Sequence, residues 1–466
     1  MKKIPLFSLI LLIIAAIDSV RNLPAAALFG SSLIFFFLLA AVIFLIPVSL
    51  VSAELASLFP GKGGVYHWVR SILGEKMAMI TIWLQWVNTM AWYPTILSFI
   101  AGTFAYLFYP ELAQNKGYLV AIILSVFWTL TYINIKGLHV SSKINNICAI
   151  FGMFLPMCFL ILLGGIRWFS GKEVYIHFNL TSILPTSTST TNWISLTAIM
   201  ASFLGMELSG VHVGDIDNPQ KNFPKAIAYA IGILIFTQLF GALTIASVLP
   251  GSEIRLVDGV MQVFSNFFHS FHMEWAVPPL TLLIVLGAIG GIINWLIAPA
   301  KGLLHASEFG YLPPFFAKLN KAGAPSRILI AQACLVSLIC LTFLFLPSIN
   351  AFYWFLTDLS TELYMGMYVI IFIAALQMHK PAIPKKTRYI IPMGKFGLFF
   401  TCSLGLIGCF ITLIVGYFPP DNIQITSTLR YSLMILIGNV IMIAPVFLFM
   451  AYKFISSSKS KRCRTE

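Results

Sequence analysis

The sequence predicts an all-α membrane protein of twelve transmembrane helices: two inverted five-helix repeats with discontinuous first and sixth helices, plus two extra helices. Three observations carry this. The 466 residues are 59% hydrophobic and only 10% charged, with a mean hydropathy of +0.91, whereas a soluble surface needs roughly a quarter charged residues. Apolar runs long enough to cross hydrocarbon, about 20 residues, recur along the whole chain. Two of those runs, five spans apart, are interrupted by ionisable residues together with proline or glycine.

The runs lie near residues 5–31, 33–55, 77–107, 118–134, 144–166, 193–213, 227–248, 277–303, 328–346, 352–376, 396–418 and 429–449. An even number puts both termini on one side, and the basic residues choose that side. With a cytoplasmic amino terminus, Lys116, Arg167, Lys172, Arg255 and Arg430 face outward, Arg21 lies within a span, and the remaining 23 of the 29 Lys and Arg face the cytoplasm. This positive-inside bias predicts a multi-pass protein of the bacterial inner (cytoplasmic) membrane with both termini cytoplasmic. It also accounts for the net charge of +13 as a topology signal, so no nucleic-acid partner is expected. One transporter domain covers residues 1–452, with repeats over 5–167 and 193–376 and the two additional helices over 396–449. The short basic tail 453–466 suits anionic membrane lipid. The amino-terminal stretch has the basic head and apolar core of a signal peptide. Asp18 and Arg21 stand where a cleavage site needs small neutral residues, so no cleavage is expected.

In the first span, IIAAIDSVRNLPAAAL puts Asp18, Ser19, Arg21 and Asn22 at mid-depth, directly before Leu23 and Pro24. Proline removes a backbone donor and disfavours helix for the residue before it, so an unwound segment is expected at 21–23. Broken helices persist in membranes only where they line protein or a water-filled cavity, and their freed backbone groups suit a charged small molecule. Arg21 either clamps a substrate carboxylate bidentately or neutralises Asp18 or Glu207.

The sixth span contains LGMELSG, with Gly205 and Gly210 flanking Glu207, and continues into VHVGDIDNPQKNFP. An ionisable group in hydrocarbon is a candidate functional group by default. The plainer reading of Glu207 is a hydrogen bond to a neighbouring helix. Helix is expected to resume at Pro224 or just after, where proline suits an early helical position. Paired breaks in the first and sixth spans are the pattern of transporters whose substrate sits near the midplane between two repeats.

Elsewhere, the third span carries Gln85, Asn88, Trp92 and Tyr93, a set read either as packing or as substrate contact. The eighth has Asn294 and Trp295 before Pro299, and Lys301, His305 and Glu308 near its cytoplasmic mouth, as an exit-side network or a solvated face. The tenth places Asp358 and Glu362 one helical turn apart, where two like charges repel. One is protonated, or the pair faces water at a solvated external mouth, or a cation is near. The glycines of FPGKGGVYHWVR, residues 59–70, lack the spacing and the Lys-Ser/Thr ending of a nucleotide loop. Seven cysteines follow no ligand or disulfide spacing, and His139 and His177 stand singly. With no HExxH pattern and no nucleophile elbow, neither an enzyme nor a metal or other cofactor is expected.

The broken first span, FPGKGGVYHWVR and FLGMELSGVHVGDIDNPQKNFPKAI together resemble the amino acid–polyamine–organocation (APC) superfamily transporters, and most nearly the bacterial glutamate/γ-aminobutyrate antiporter branch. LPGSEIRLVDGVMQVF at 249–264, WLIAPAKGL at 295–303 and PPDNIQ at 419–424 are similar to that branch too. The resemblance spans roughly residues 5 to 450. It implies a LeuT-like fold and secondary active exchange of amino acids or amines by alternating access, with glutamate/γ-aminobutyrate the indicated pair. It also implies that residues 19–24 meet the substrate's backbone groups and that Glu207 with its neighbours, Leu204 among them, forms the opposite wall. His212 and Asp215 would lie in or near the intracellular path, with Lys301, Asp358 and Glu362 as further gating or proton-path candidates. The chain departs from that branch in carrying Asp18 and Arg21 in the first break and in its shorter tail. The rival within transport is a proton- or cation-coupled permease without obligatory exchange, with Glu207 or Asp18 as the titrating group. Monomer and homodimer are both open.

Overall fold

The computed structural model describes residues 4–59, 64–137, 150–171, 173–184, 190–208, 216, 218–345, 348–378, 389–421, 423 and 427–462. Among them there is no strand, only an isolated parallel bridge between Ile4 and Ile216. The helices used below are α1 (Leu6–Ile17), α2 (Leu23–Ala27), α3 (Gly30–Leu58), α4 (Gly64–Leu73), α5 (Glu75–Ala105), α6 (Lys116–Ile135), α7 (Leu155–Phe169), α8 (Thr190–Ser202) and α9 (Pro219–Val248). They continue with α10 (Gly259–Ser270), α11 (Val277–Glu308), α12 (Ser326–Thr342), α13 (Ile349–Leu376), α14 (Gly394–Val415) and α15 (Thr428–Arg462).

Eight helices among the described residues are long and apolar enough to cross a membrane, and two shorter apolar ones span Trp193–Leu208 and Ser326–Thr342. In such surroundings every backbone group must be satisfied within the protein, which is why the described spans are helices. The 31-residue α5 is long enough but is not one of the eight. Thr81, Gln85, Asn88, Thr89, Thr95 and Ser98 dilute its apolar character, and all six are buried. A helix can carry that many polar groups where protein rather than lipid surrounds it. Accordingly α5 is the axis of the bundle, packed most extensively against α13 and α11.

Both expected helix breaks occur, and each is displaced from where proline alone would put it. α1 ends at Ile17, and Asp18 and Ser19 take extended backbone (ψ 131° and 125°) before a 3-10 turn at Val20–Asn22 and α2. The unwinding therefore precedes 21–23. Pro24 occupies the first turn of α2, where its missing N–H leaves nothing unsatisfied, so it starts a helix instead of breaking one. At the second break α8 ends at Ser202 and Gly205 adopts φ +101°, a conformation glycine reaches without a Cβ penalty. Helix resumes at Pro219, with Pro224 inside α9, so it is the earlier proline that opens the helix. Gly210, His212 and Asp215 lie outside the described residues, as do residues 60–63 of the glycine-rich connection.

The third departure concerns Asp358 and Glu362. A solvated external mouth does not fit, because both side chains are buried inside the bundle.

Candidate functional site

The first break, α5, α11 and α13 line a small cavity inside the bundle. Its lining includes Ile17, Asp18, Ser19, Arg21 and Asn22 from the break, and Asn88, Trp92 and Ile96 from α5. Met153, Ala201, Leu204, Gly291, Trp295 and Tyr364 complete it. The free volume is about 50 Å³, room for only a few waters at ≳ 10–15 Å³ each, so these polar groups are drawn in close together.

The two ionisable residues of the first break are held separately. Asp18 accepts from Thr237 Oγ1 at 2.9 Å and from Gln238 Nε2 at 2.6 Å, and the same Gln238 amide reaches the Ser19 carbonyl at 3.2 Å. Two adjacent polar residues of α9 thus satisfy both the carboxylate and the unwound backbone. Arg21 turns the other way. Its Nη1 donates to Thr95 Oγ1 at 2.6 Å, and its guanidinium lies 5.4 Å from the centre of the Trp92 ring, within cation–π range. Thr95 spends its own proton on the Trp92 carbonyl, at 2.7 Å, and so presents a lone pair to the arginine. The Tyr353 hydroxyl donates to the Arg21 carbonyl at 3.2 Å.

Arg21 is 6% exposed, its Nε has no hydrogen-bond partner, and no carboxylate among the described residues lies within ion-pair distance of it. Of the alternatives open at sequence level, pairing with Asp18 or Glu207 is therefore not realised. A desolvated guanidinium without an anion is costly, and its planar fork of donors matches a carboxylate bidentately.

Opposite, Trp92 and Trp295 approach with ring centres 5.2 Å apart, and the Trp295 carbonyl accepts from Tyr93 at 2.8 Å. A Cβ on Gly205 would stand 3.3 Å from Trp295, so the glycine of the second break also makes room for the indole.

Glu207 is buried but does not line the cavity. Tyr364 donates to its Oε1 at 2.6 Å, Gln85 Nε2 reaches Oε1 at 3.3 Å, and Tyr368 donates to Oε2. Tyr368 in turn accepts the Gly205 N–H at 3.1 Å. The carboxylate closes the second break onto α13, and its link to the cavity runs through Tyr364.

Of the residues singled out from sequence, Asp18, Ser19, Arg21, Asn22, Trp92, Leu204 and Trp295 meet at one cavity. Glu207 stands one layer behind, and Leu23 packs away from it against Gly241 of α9. Lys301 is exposed. Asp358 accepts from Tyr431 of α15, and Glu362 Oε1, without a hydrogen-bond partner, lies so close to Gly416 that a Cβ there would clash with it. Neither acid lines the cavity.

Sequence reasoning missed Thr95, Thr237, Gln238, Tyr364 and Tyr368. Signals existed for some of them. Tyr364 and Tyr368 are spaced one turn apart on a buried helix, and Thr237–Gln238 is a polar pair inside an otherwise apolar run.

Long apolar helices around a buried cavity that both helix breaks reach are the architecture of a membrane transporter. The amino acid permease profile matches residues 4–440, and the chain belongs to that family within the APC superfamily. It is 38% identical over 467 residues to an uncharacterized transporter of Legionella pneumophila, covering 100% of this chain and 99% of that protein. A glutamate/gamma-aminobutyrate antiporter of Lactococcus lactis is 26% identical over 446 residues, 94% of this chain and 88% of the relative. A probable agmatine/putrescine antiporter of the same species is 25% identical over 452 residues, 95% of this chain and 93% of the relative.

Proposed function

We propose that the chain is a secondary active antiporter of the bacterial inner membrane that exchanges amino acids or their decarboxylation products, with an acidic amino acid such as glutamate as one substrate. The reading includes twelve spans in two inverted five-helix repeats plus two helices, with cytoplasmic termini. The observation that carries it is Arg21: a buried guanidinium, fixed by Thr95 and Trp92 at the edge of the cavity, with no carboxylate partner among the described residues.

In this mechanism the substrate carboxylate docks on Arg21. Its ammonium group and side chain lie between the unwound backbone at Ser19 and the Trp92–Trp295 pair. Closure at one end then drives opening at the other, and occupancy biases the two states. No covalent step is needed.

Counterflow in proteoliposomes against the twenty amino acids, γ-aminobutyrate and agmatine tests the substrate class. Arg21→Ala is expected to lower exchange of labelled glutamate at least tenfold, the scale of one lost charge-assisted contact at about 1.5–3 kcal/mol. Exchange left unchanged by that substitution ends the assignment to Arg21.

A second reading, proton-coupled uptake without obligatory exchange, is favoured by Asp358 and Glu362. The pair is buried, one turn apart on α13, with no cation within ion-pair distance among the described residues, so a shared proton relieves its repulsion. Uptake that collapses with a protonophore, needs no internal amino acid and loses its proton dependence in Glu362→Gln supports this reading over exchange.

A further inference from the structure

A second hollow lies on the far side of α5 from the break. It lies between α5, α12 and α15, with a volume of about 410 Å³, inside the range of about 300–1,000 Å³ common for small-ligand sites. Trp83, Trp86, Leu335, Leu338, Met442 and Phe449 form its main walls. Neither indole offers a donor to a ligand, because Trp83 Nε1 donates to the Met442 carbonyl at 2.8 Å and Trp86 Nε1 to Gln332 at 3.1 Å. What remains is almost entirely carbon and thioether sulfur, so the occupant must be apolar.

Its source is set by where the hollow opens. The Thr428–Ile455 part of α15 is apolar and only 11% of its most apolar stretch is buried, and Leu338 on α12 is 62% exposed. Both surfaces belong against hydrocarbon.

One end of the hollow is basic. Arg327 immediately precedes the lining residue Ile328, stacks 4.1 Å over Phe315 and donates to the Phe315 carbonyl at 2.7 Å. Lys453 follows Phe449 by one turn and lies 3.8 Å over Tyr311. Lys318 and Lys321 stand in the connection between α11 and α12. Among the residues whose side chains are described, the acid at this end is Glu75, which is taken by Lys453 at 2.6 Å and Arg70 at 3.1 Å, so the basic side chains there outnumber the acidic ones.

We infer that this hollow binds one acyl chain of an anionic phospholipid, whose phosphate lies at the Arg327 rim. The inference rests on the chain being a membrane transporter and on nothing about its substrate. In the orientation proposed above, the lipid belongs to the cytoplasmic leaflet. A bound chain fills the space between α12 and α15 against the same helix that carries Asn88 and Trp92 on its cavity side.

The test is native mass spectrometry of the full chain released from bilayers of equal phosphatidylglycerol and phosphatidylcholine. One phosphatidylglycerol is expected to be retained about fivefold over phosphatidylcholine, the scale of one basic side chain at an anionic surface. Arg327→Gln should bring the two near parity, and Ala331→Phe, which fills the hollow, should remove the adduct. A dibrominated phosphatidylglycerol gives an independent measure. It should quench part of the wild-type tryptophan fluorescence, and the Trp83→Phe/Trp86→Phe double variant should lose that part. Equal retention of the two lipids, an adduct that survives Ala331→Phe, or a paired-chain species in place of the lipid adduct would overturn the inference. None of these readings involves transport, so failure here leaves the substrate assignment standing, and the reverse also holds.

Discussion

Gln238 of α9 donates to Asp18 at 2.6 Å and, through the same amide nitrogen, reaches the Ser19 carbonyl at 3.2 Å. One side chain thereby holds both extended residues of the first break, and Arg21 is left to face the cavity instead of neutralising the aspartate beside it. Removing this amide leaves Asp18 with Thr237 as its side-chain partner. Gln238→Ala is expected to destabilise the protein by about 1.5–3 kcal/mol, the usual cost of losing a hydrogen bond to a charged group, read as a lower thermal midpoint in detergent. Gln238→Glu should be worse, because it sets a second carboxylate against the first. A midpoint unmoved in both variants would show that the break does not depend on this contact.

How much of this arrangement the sequence displays depends on whether the signal is local. Hydropathy and charge asymmetry reveal the helical class, because a span announces itself within its own 20 residues. The two breaks are also visible, since proline and glycine act on their own backbone. Their position is less so: Pro24 looks like the cause of an unwound segment but opens α2, and the residues that stabilise the extended backbone at Asp18 and Ser19 are more than 200 positions away, at Thr237 and Gln238. Glu207 stands out in its span, yet nothing local shows that Tyr364 and Tyr368 hold its carboxylate behind the cavity wall. Asp358 and Glu362 look like a wet mouth because their burial is decided by α14 and α15, which pack against α13 from elsewhere in the chain.

The second break depends on Gly205 in two ways that substitution can separate. Its φ of +101° strains any L side chain, and a Cβ there would meet Trp295 at 3.3 Å and 3.4 Å. Gly205→Ala is expected to cost about 1–3 kcal/mol for the backbone conformation and to push Trp295 toward Trp92, raising the apparent KM for transport. In the Gly205→Ala/Trp295→Leu double variant the stability loss should remain while the crowding is relieved. Full recovery of stability in the double variant would mean that contact, not backbone conformation, sets the requirement for glycine.

The connection between α9 and α10 supplies a pH-dependent contact at the carboxy-terminal end of α5. Asp258 is buried and accepts from the Tyr106 hydroxyl at 2.9 Å and from Gln114 at 3.3 Å, with Arg255 at 2.9 Å. Burial raises its carboxyl from 3.8 to about 6, against the opposing pull of Arg255 and the hydrogen bonds. A carboxyl whose folded value lies above its unfolded one binds a proton in the native state that the unfolded chain has released, so its stabilising contribution is complete below about 4 and is lost as the pH rises through about 6. Asp258→Asn abolishes that titration. The wild-type thermal midpoint minus that of Asp258→Asn, followed from pH 4 to pH 8, is therefore expected to fall between about 4 and 6 and then to level off. A difference that climbs over the same interval would show that the Arg255 ion pair outweighs the cost of burying the charge.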